Sequence, residues 1–428
     1  MPSVKRRPEP GQPEPRTSAT RVVAVPRRWL VTLGALVVLP WLVVAALYVA
    51  ARGGADDAAP AVAGATEAVP HGPWGRLSKT PIVISPPLEL VSTDSEPASG
   101  PRWALPGVSA EEFEAFLKSS GVAPADARAV RATARAEPRI AGVVAFPDPG
   151  FVARLTPDVR ASLYEVLARS PLNEAQAHAY RFGGSTVENW FSGSLIAQTT
   201  RALVEPVVYR MNGYLYVADL DLIRSQVADE DELRRLTKTL LRQSTVLVQL
   251  TVHDRAEVPG LVDYWGRGGR RTDLRPLLES IAGGGPDRAI DIAHLLPSFA
   301  REHLYRYPKI SAADFDKPVI ANCLWTSLNF FAAEPDDRFL DVNLALGALK
   351  SEYFVVENGF QLGDIMAFLD EEGDIFHVVV YLADDLVLTK NGTSPMAPWI
   401  ILPLDEVKNY YSTRSRDMRL IVHRRNDL

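Results

Sequence analysis

The chain has 428 residues, 47% of them apolar and 23% charged, with a formal net charge of -6. This composition excludes a largely disordered chain, and the length exceeds what one ordinary hydrophobic core fills, so two folded units plus tails are expected. One cysteine excludes an intrachain disulfide and a multi-cysteine zinc site. The seven histidines form no HExxH and no pair at metal-ligand spacing, so no metal and no cofactor is expected.

Residues 1–28 carry a net +5 and the rest of the chain -11. An acidic body argues against a nucleic-acid partner. After the basic stretch comes "WLVTLGALVVLPWLVVAALYVAA", residues 29–51, without a charge. At about 1.5 Å per residue it spans roughly 34 Å, enough for a hydrocarbon core of about 30 Å. It is expected to be a single transmembrane helix, with residues 1–28 as a basic cytoplasmic tail and the body outside a bacterial cytoplasmic membrane, on the periplasmic side. A cleaved signal peptide is the alternative, but its apolar core is normally about 7 to 15 residues.

Residues 52–107 read as a proline- and alanine-rich linker in which "TPIVISPPLELV" offers one edge strand. Residues 108–300 read as an α+β domain of unknown role. Ser109 and Glu112 make a capping box, and Thr156-Pro157 opens "TPDVRASLYEVLARS". Asn212-Gly213 between aromatic residues signals a hairpin, and "DEDELRRLTKTLLRQS" followed by "TVLVQLTV" gives an amphipathic helix and a strand. "WGRGGRR" at 265–271 reads as an exposed turn, with contact to an anionic partner as the sharper alternative.

Residues 301–428 hold the single cysteine, in "IANCLWTSLNFF". Asn322 is a favoured N-cap, which places Cys323 in the first turn of a helix, where unpaired amides and the helix dipole favour a thiolate. The bland alternative is a small apolar filler in the core. "DIMAFL" and "HVVVYL" read as strands, His377 opens the second, and a hairpin centred on Asp384 sets Asn391 opposite His377. A one-residue slip brings Lys390 there instead.

The pieces "ANCLWTSLNFF", "LGDIMAFL" and "HVVVYLADDLVLTKNG" resemble the NlpC/P60 branch of the papain-like cysteine peptidases, over about residues 300–425. The resemblance implies a papain-like unit with Cys323 as nucleophile, His377 as base and later acid, and Asn391 as orienter. It also implies hydrolysis of an amide bond, in that family usually in cell-wall peptide stems. Cys323-Leu324-Trp325 departs from the family's common Cys-Ser-Gly, Thr389 stands where a third histidine is frequent, and only the distant Tyr307 offers an upstream tyrosine. The expected fold class is therefore α+β: an N-terminal transmembrane helix, a proline-rich tether, a mixed α+β middle domain and a papain-like C-terminal domain. The expected function is a membrane-anchored cysteine hydrolase acting on a cell-wall peptide or another amide or ester. The alternatives are an inactive envelope binding or scaffold protein, or an acyltransferase or lipid-ester hydrolase.

Overall fold

The computed structural model describes residues 65–91, 100–183, 186–285, 288–308, 321–412 and 417–428. Strands β1 (Glu67–Ala68) and β2 (Arg76–Ile84) come first, from the stretch expected to be a tether. β2 carries Pro81, which is tolerated because β1 pairs only with Ser78 and Lys79, so the strand is an edge where the proline falls. Strands β3 (Trp103–Leu105), β4 (Arg135–Glu137) and β5 (Gly142–Ala145) form a second sheet, in the order β3-β5-β4.

Helix α1 (Ala110–Ser119) starts at the capping box its sequence signals: Ser109 accepts from the Glu112 amide and Glu112 accepts from the Ser109 amide. Helix α2 (Pro157–Leu167) is capped by Thr156. Its Arg160 is fully buried and paired with Asp219, which also accepts from Tyr164 Oη at 2.7 Å. Strands β6 (Tyr180–Phe182), β7 (Tyr209–Met211) and β8 (Tyr214–Val217) form a third sheet. The β7–β8 hairpin turns at Asn212 and Gly213, with φ of 50° and 77°, the left-handed pair that Asn-Gly favours.

Helix α3 (Glu230–Leu240) leads into β9 (Gln243–Val252), and β10 (Arg288–Asp291) completes the first sheet in the order β1-β2-β9-β10. Between them lie α4 (Val258–Trp265) and α5 (Arg271–Gly283). Then follow α6 (Ser298–His303), α7 (Cys323–Leu328) and α8 (Val342–Glu352). The largest sheet ends the chain. It contains β11 (Tyr353–Val356), β12 (Ile365–Leu369), β13 (Ile375–Ala383), β14 (Leu386–Lys390), β15 (Trp399–Pro403) and β16 (Arg419–Arg425) in the order β11-β16-β12-β13-β14-β15, all antiparallel. Helix α9 (Leu404–Tyr411) precedes β16.

These findings correct the expected fold class. The described residues form a mixed α/β structure with four antiparallel sheets, and none of their helices is long and apolar enough to cross a membrane. The longest of them, α5, has 13 residues, about 20 Å against the roughly 30 Å required. The expected span, 29–51, lies outside the described residues. The tether is corrected too. β2 runs nine residues beside β9 in the first sheet, and Trp103 is wholly buried. Its prolines misled, because the pairing of "RLSKTPIVI" with β9 outweighs a single proline on an edge that β1 leaves unpaired. The described residues pack as one compact unit. One apolar cluster joins Val246, Val248 and Leu250 of β9 to Phe330, Val380, Leu388 and Ile401, across residue 300.

Candidate active site

Alternation along the largest sheet sorts its side chains onto two faces. Ile365, Ala367, Val378 and Trp399 pack with Leu324, Trp325 and Leu328 of α7, and Cys323 lies against the same cluster. Met366, Phe368, Val379, Val387, Ile400 and Val422 form the other cluster with Val407 of α9. The cysteine helix therefore covers one face and α9 the other.

Asn322 caps α7 as expected, its Oδ1 accepting the Trp325 amide at 2.9 Å. Cys323 is the first residue of this six-residue helix. Burial pushes its thiol pKa up. The amides of Val378, Leu324 and Cys323 itself, and the nearby Lys390 ammonium, act in the opposite direction without overcoming it.

His377 lies on the opposite face. It pairs with Phe368 across the β12–β13 ladder, and its ring packs 5.8 Å from Phe368 and 4.4 Å from Tyr411, centroid to centroid. The residue is 1% exposed. Unbroken alternation from Val378 to Tyr381 sets this side. A bulge opposite Phe368 and Leu369 absorbs Phe376, so that Ile375 returns to the cysteine's face.

The hairpin axis falls at Asp384, as the sequence reading placed it, with Val380 opposite Leu388 and Tyr381 opposite Val387. Thr389, however, is what meets the imidazole: His377 Nε2 lies 3.0 Å from Thr389 Oγ1, and that hydroxyl donates to Asn391 Oδ1 at 2.9 Å. A hydroxyl that spends its one proton on Asn391 can only accept from the ring, so Nε2 carries the imidazole proton. The structure thus joins His377 to Asn391 through Thr389 and sets Cys323 apart from both, across the sheet.

Three residues that sequence reasoning did not select share the cysteine's face. Lys390 is fully buried. Its Nζ donates to Gly392 O at 2.9 Å and Ser394 O at 3.2 Å, and lies 5.6 Å from the Trp399 ring centroid. Burial brings its pKa down from 10.5 to about 8, with the Cys323 thiol acting weakly against that. Trp399 Nε1 donates to Thr326 Oγ1 at 2.8 Å, tying β15 to α7. His303 meets Trp399 and Trp325 edge to face, with centroids 4.7 and 5.6 Å apart, its Nδ1 2.7 Å from Phe299 O. Lys390 had a sequence signal in the one-residue register slip; His303, ahead of the cysteine, had none.

Among the described residues no group of three or more His, Cys, Asp or Glu side chains is placed to hold a metal ion. Comparison with known proteins finds no matching family model, no matching curated protein and no matching solved structure.

Proposed function

We propose that this protein is a binding or scaffolding protein in which Cys323, His377 and Asn391 do not operate as a cysteine-hydrolase triad. One observation carries the reading: Cys323, on a helix that covers one face of the sheet, and His377, which projects from the other face, have the sheet between them. A nucleophile and its base need contact of about 2.6 to 3.2 Å, or one bridging water. A sheet between them provides neither. The raised thiol pKa supports the same conclusion, since the thiolate is the nucleophile.

A second reading rests on Lys390, the buried amine close enough to Cys323 to act on its ionisation. In that reading Lys390 replaces histidine as the base for acyl transfer. The rate of Cys323 alkylation by iodoacetamide against pH separates the readings, with His377→Ala and Lys390→Met as variants. A binding protein shows slow labelling at pH 7 that climbs only above about pH 9 and is unchanged in His377→Ala. Fast labelling below neutral pH, lost in His377→Ala, restores the hydrolase. The same plateau lost only in Lys390→Met establishes the lysine-assisted thiol.

A further inference from the structure

The arginine-rich loop between α4 and α5, Gly266 to Arg270, is distinct from the cysteine's surroundings and independent of the reading above. Its arginines differ sharply in how their donors are met. Arg270 is spent on the main chain: Nε donates to Arg267 O at 3.2 Å, Nη1 to Leu295 O at 2.7 Å and Nη2 to Trp265 O at 2.5 Å. Arg424, on the neighbouring strand β16, turns the fork of Nε and Nη2 onto Asp364 at 2.8 and 2.7 Å. Arg271 makes one exposed ion pair with Asp263, at 3.3 Å.

Arg267 has no such match. Its Nη1 donates to Gln361 Oε1, yet Nε and Nη2, the same fork that Arg424 gives to a carboxylate, are shielded from water and meet no acceptor. Among the described residues it is the arginine with both fork nitrogens in that condition; Arg160, Arg181, Arg201 and Arg224 have an unmet Nε alone. A charged donor left unmet costs more than a neutral one, and such a group calls for an ion or a ligand. Burial holds the Arg267 pKa below the ordinary arginine value and Arg424 adds repulsion, with Asp364 and Tyr264 acting against them and Arg271 adding a smaller repulsion.

The surroundings favour an anion's approach. Gly268 and Gly269 have φ of 71° and 82°, and both are exposed, so the turn beside Arg267 presents bare main chain. Phe331 packs against Gly268 and Gly363, where a Cβ would come within 2.4 and 2.0 Å of its ring, so the loop is pinned to the turn that carries Gln361 and Asp364. Arg267 is itself half-buried, so its side chain lies near the surface. The exposed Arg271–Asp263 pair is weakly held and easily released.

We propose that Arg267 anchors an oxoanion site that takes a phosphate-class dianion on its Nε–Nη2 fork, with Arg271 as a second cation at the rim. An oxoanion suits this place because it meets the Arg267 fork bidentately, while Asp364 and Asp263 are engaged by Arg424 and Arg271. The overall charge of -6 means that a general basic surface does not account for such binding.

Calorimetric titration of the full-length chain with inorganic phosphate tests this. Saturable binding is expected, weakened about tenfold or more in Arg267→Ala. Arg267→Lys, which keeps the charge and loses the fork, should also weaken it, and Arg271→Ala should weaken it less. Absence of saturable binding, or affinity unchanged in Arg267→Ala with an unchanged melting curve, overturns the proposal. If Arg267→Ala does not fold, the lysine variant decides: unchanged affinity there removes the fork from the account.

Discussion

The two faces of the largest sheet use the same strands for different chemistry. On one, α7 lays the half-buried Cys323 against Val378, with Lys390 and Trp399 on the same face. On the other, the His377 ring lies between Phe368 and Tyr411, with Phe376 packed on Tyr411, and is hydrogen-bonded to Thr389. Each face holds half of what a cysteine hydrolase needs. The cysteine's face has thiol, amides and a buried ammonium, with its imidazole, His303, held against Trp325, Trp399 and the Phe299 carbonyl; the other has imidazole, hydroxyl and carboxamide but no thiol. Because side chains alternate with period two, the difference between an assembled and a divided site is a single step along β13.

The largest expected effect comes from removing what closes the cysteine's face. Trp399 is 4% exposed, bonds Thr326, lies against Lys390 and meets His303 edge to face. Trp399→Ala should cost about 3 to 5 kcal/mol in urea unfolding, through lost packing and a cavity. It should also speed Cys323 alkylation while the His377 surroundings stay as they are. If labelling does not change, Trp399 is not what shields the thiol, and the contrast between the faces loses one of its causes.

Lys390 gives the next largest effect, with a definite sign. Its pKa of about 8 in the folded chain against an ordinary 10.5 corresponds to about 3 kcal/mol. Below pH 8 both states hold the proton, and the folded chain bears the full cost of a buried ammonium. From about 8 to 10.5 the unfolded chain holds the proton while the folded chain has released it, so this group's contribution to stability rises with pH. Between pH 7 and 9, wild type should gain about 1 kcal/mol relative to Lys390→Met in paired urea titrations. The window stops there because the raised thiol pKa of Cys323 acts oppositely at higher pH. A flat difference would mean that Lys390 meets solvent in solution.

How far these properties can be read from the sequence depends on which signals are local. The capping box at Ser109 and Glu112, the Asn212-Gly213 hairpin, the Asn322 cap and the hairpin axis at Asp384 all rest on neighbouring residues, and all four can be read. What sequence order hides is parity. The order Cys, His, Asn is the same whether His377 or Val378 faces α7, and the bulge that absorbs Phe376 has no glycine to signal it. Long-range pairing is hidden as well: β2 is recruited by β9, more than 150 residues later in the chain. The apolar "LVLT" before Lys390 marks a buried strand but not that the strand carries its lysine inside with it.

The smallest effect bears most directly on the divided site. If Asn391 oriented a catalytic imidazole, replacing it would alter the reactivity of Cys323. Here Asn391 ends a chain that starts at His377 Nε2–H and runs through the Thr389 hydroxyl. Asn391→Ala removes one acceptor at the edge of the sheet, so it should cost about 1 kcal/mol. The alkylation profile of Cys323 should not move, because no group on this face reaches the thiol. The imidazole should respond: once Asn391 no longer takes the Thr389 proton, that hydroxyl can donate to Nε2, which frees the tautomer that wild type fixes. Side-chain nitrogen shifts of His377 read this directly. A wild-type ring protonated at Nδ1 alone would reverse the direction of the chain and turn Asn391 from acceptor into donor.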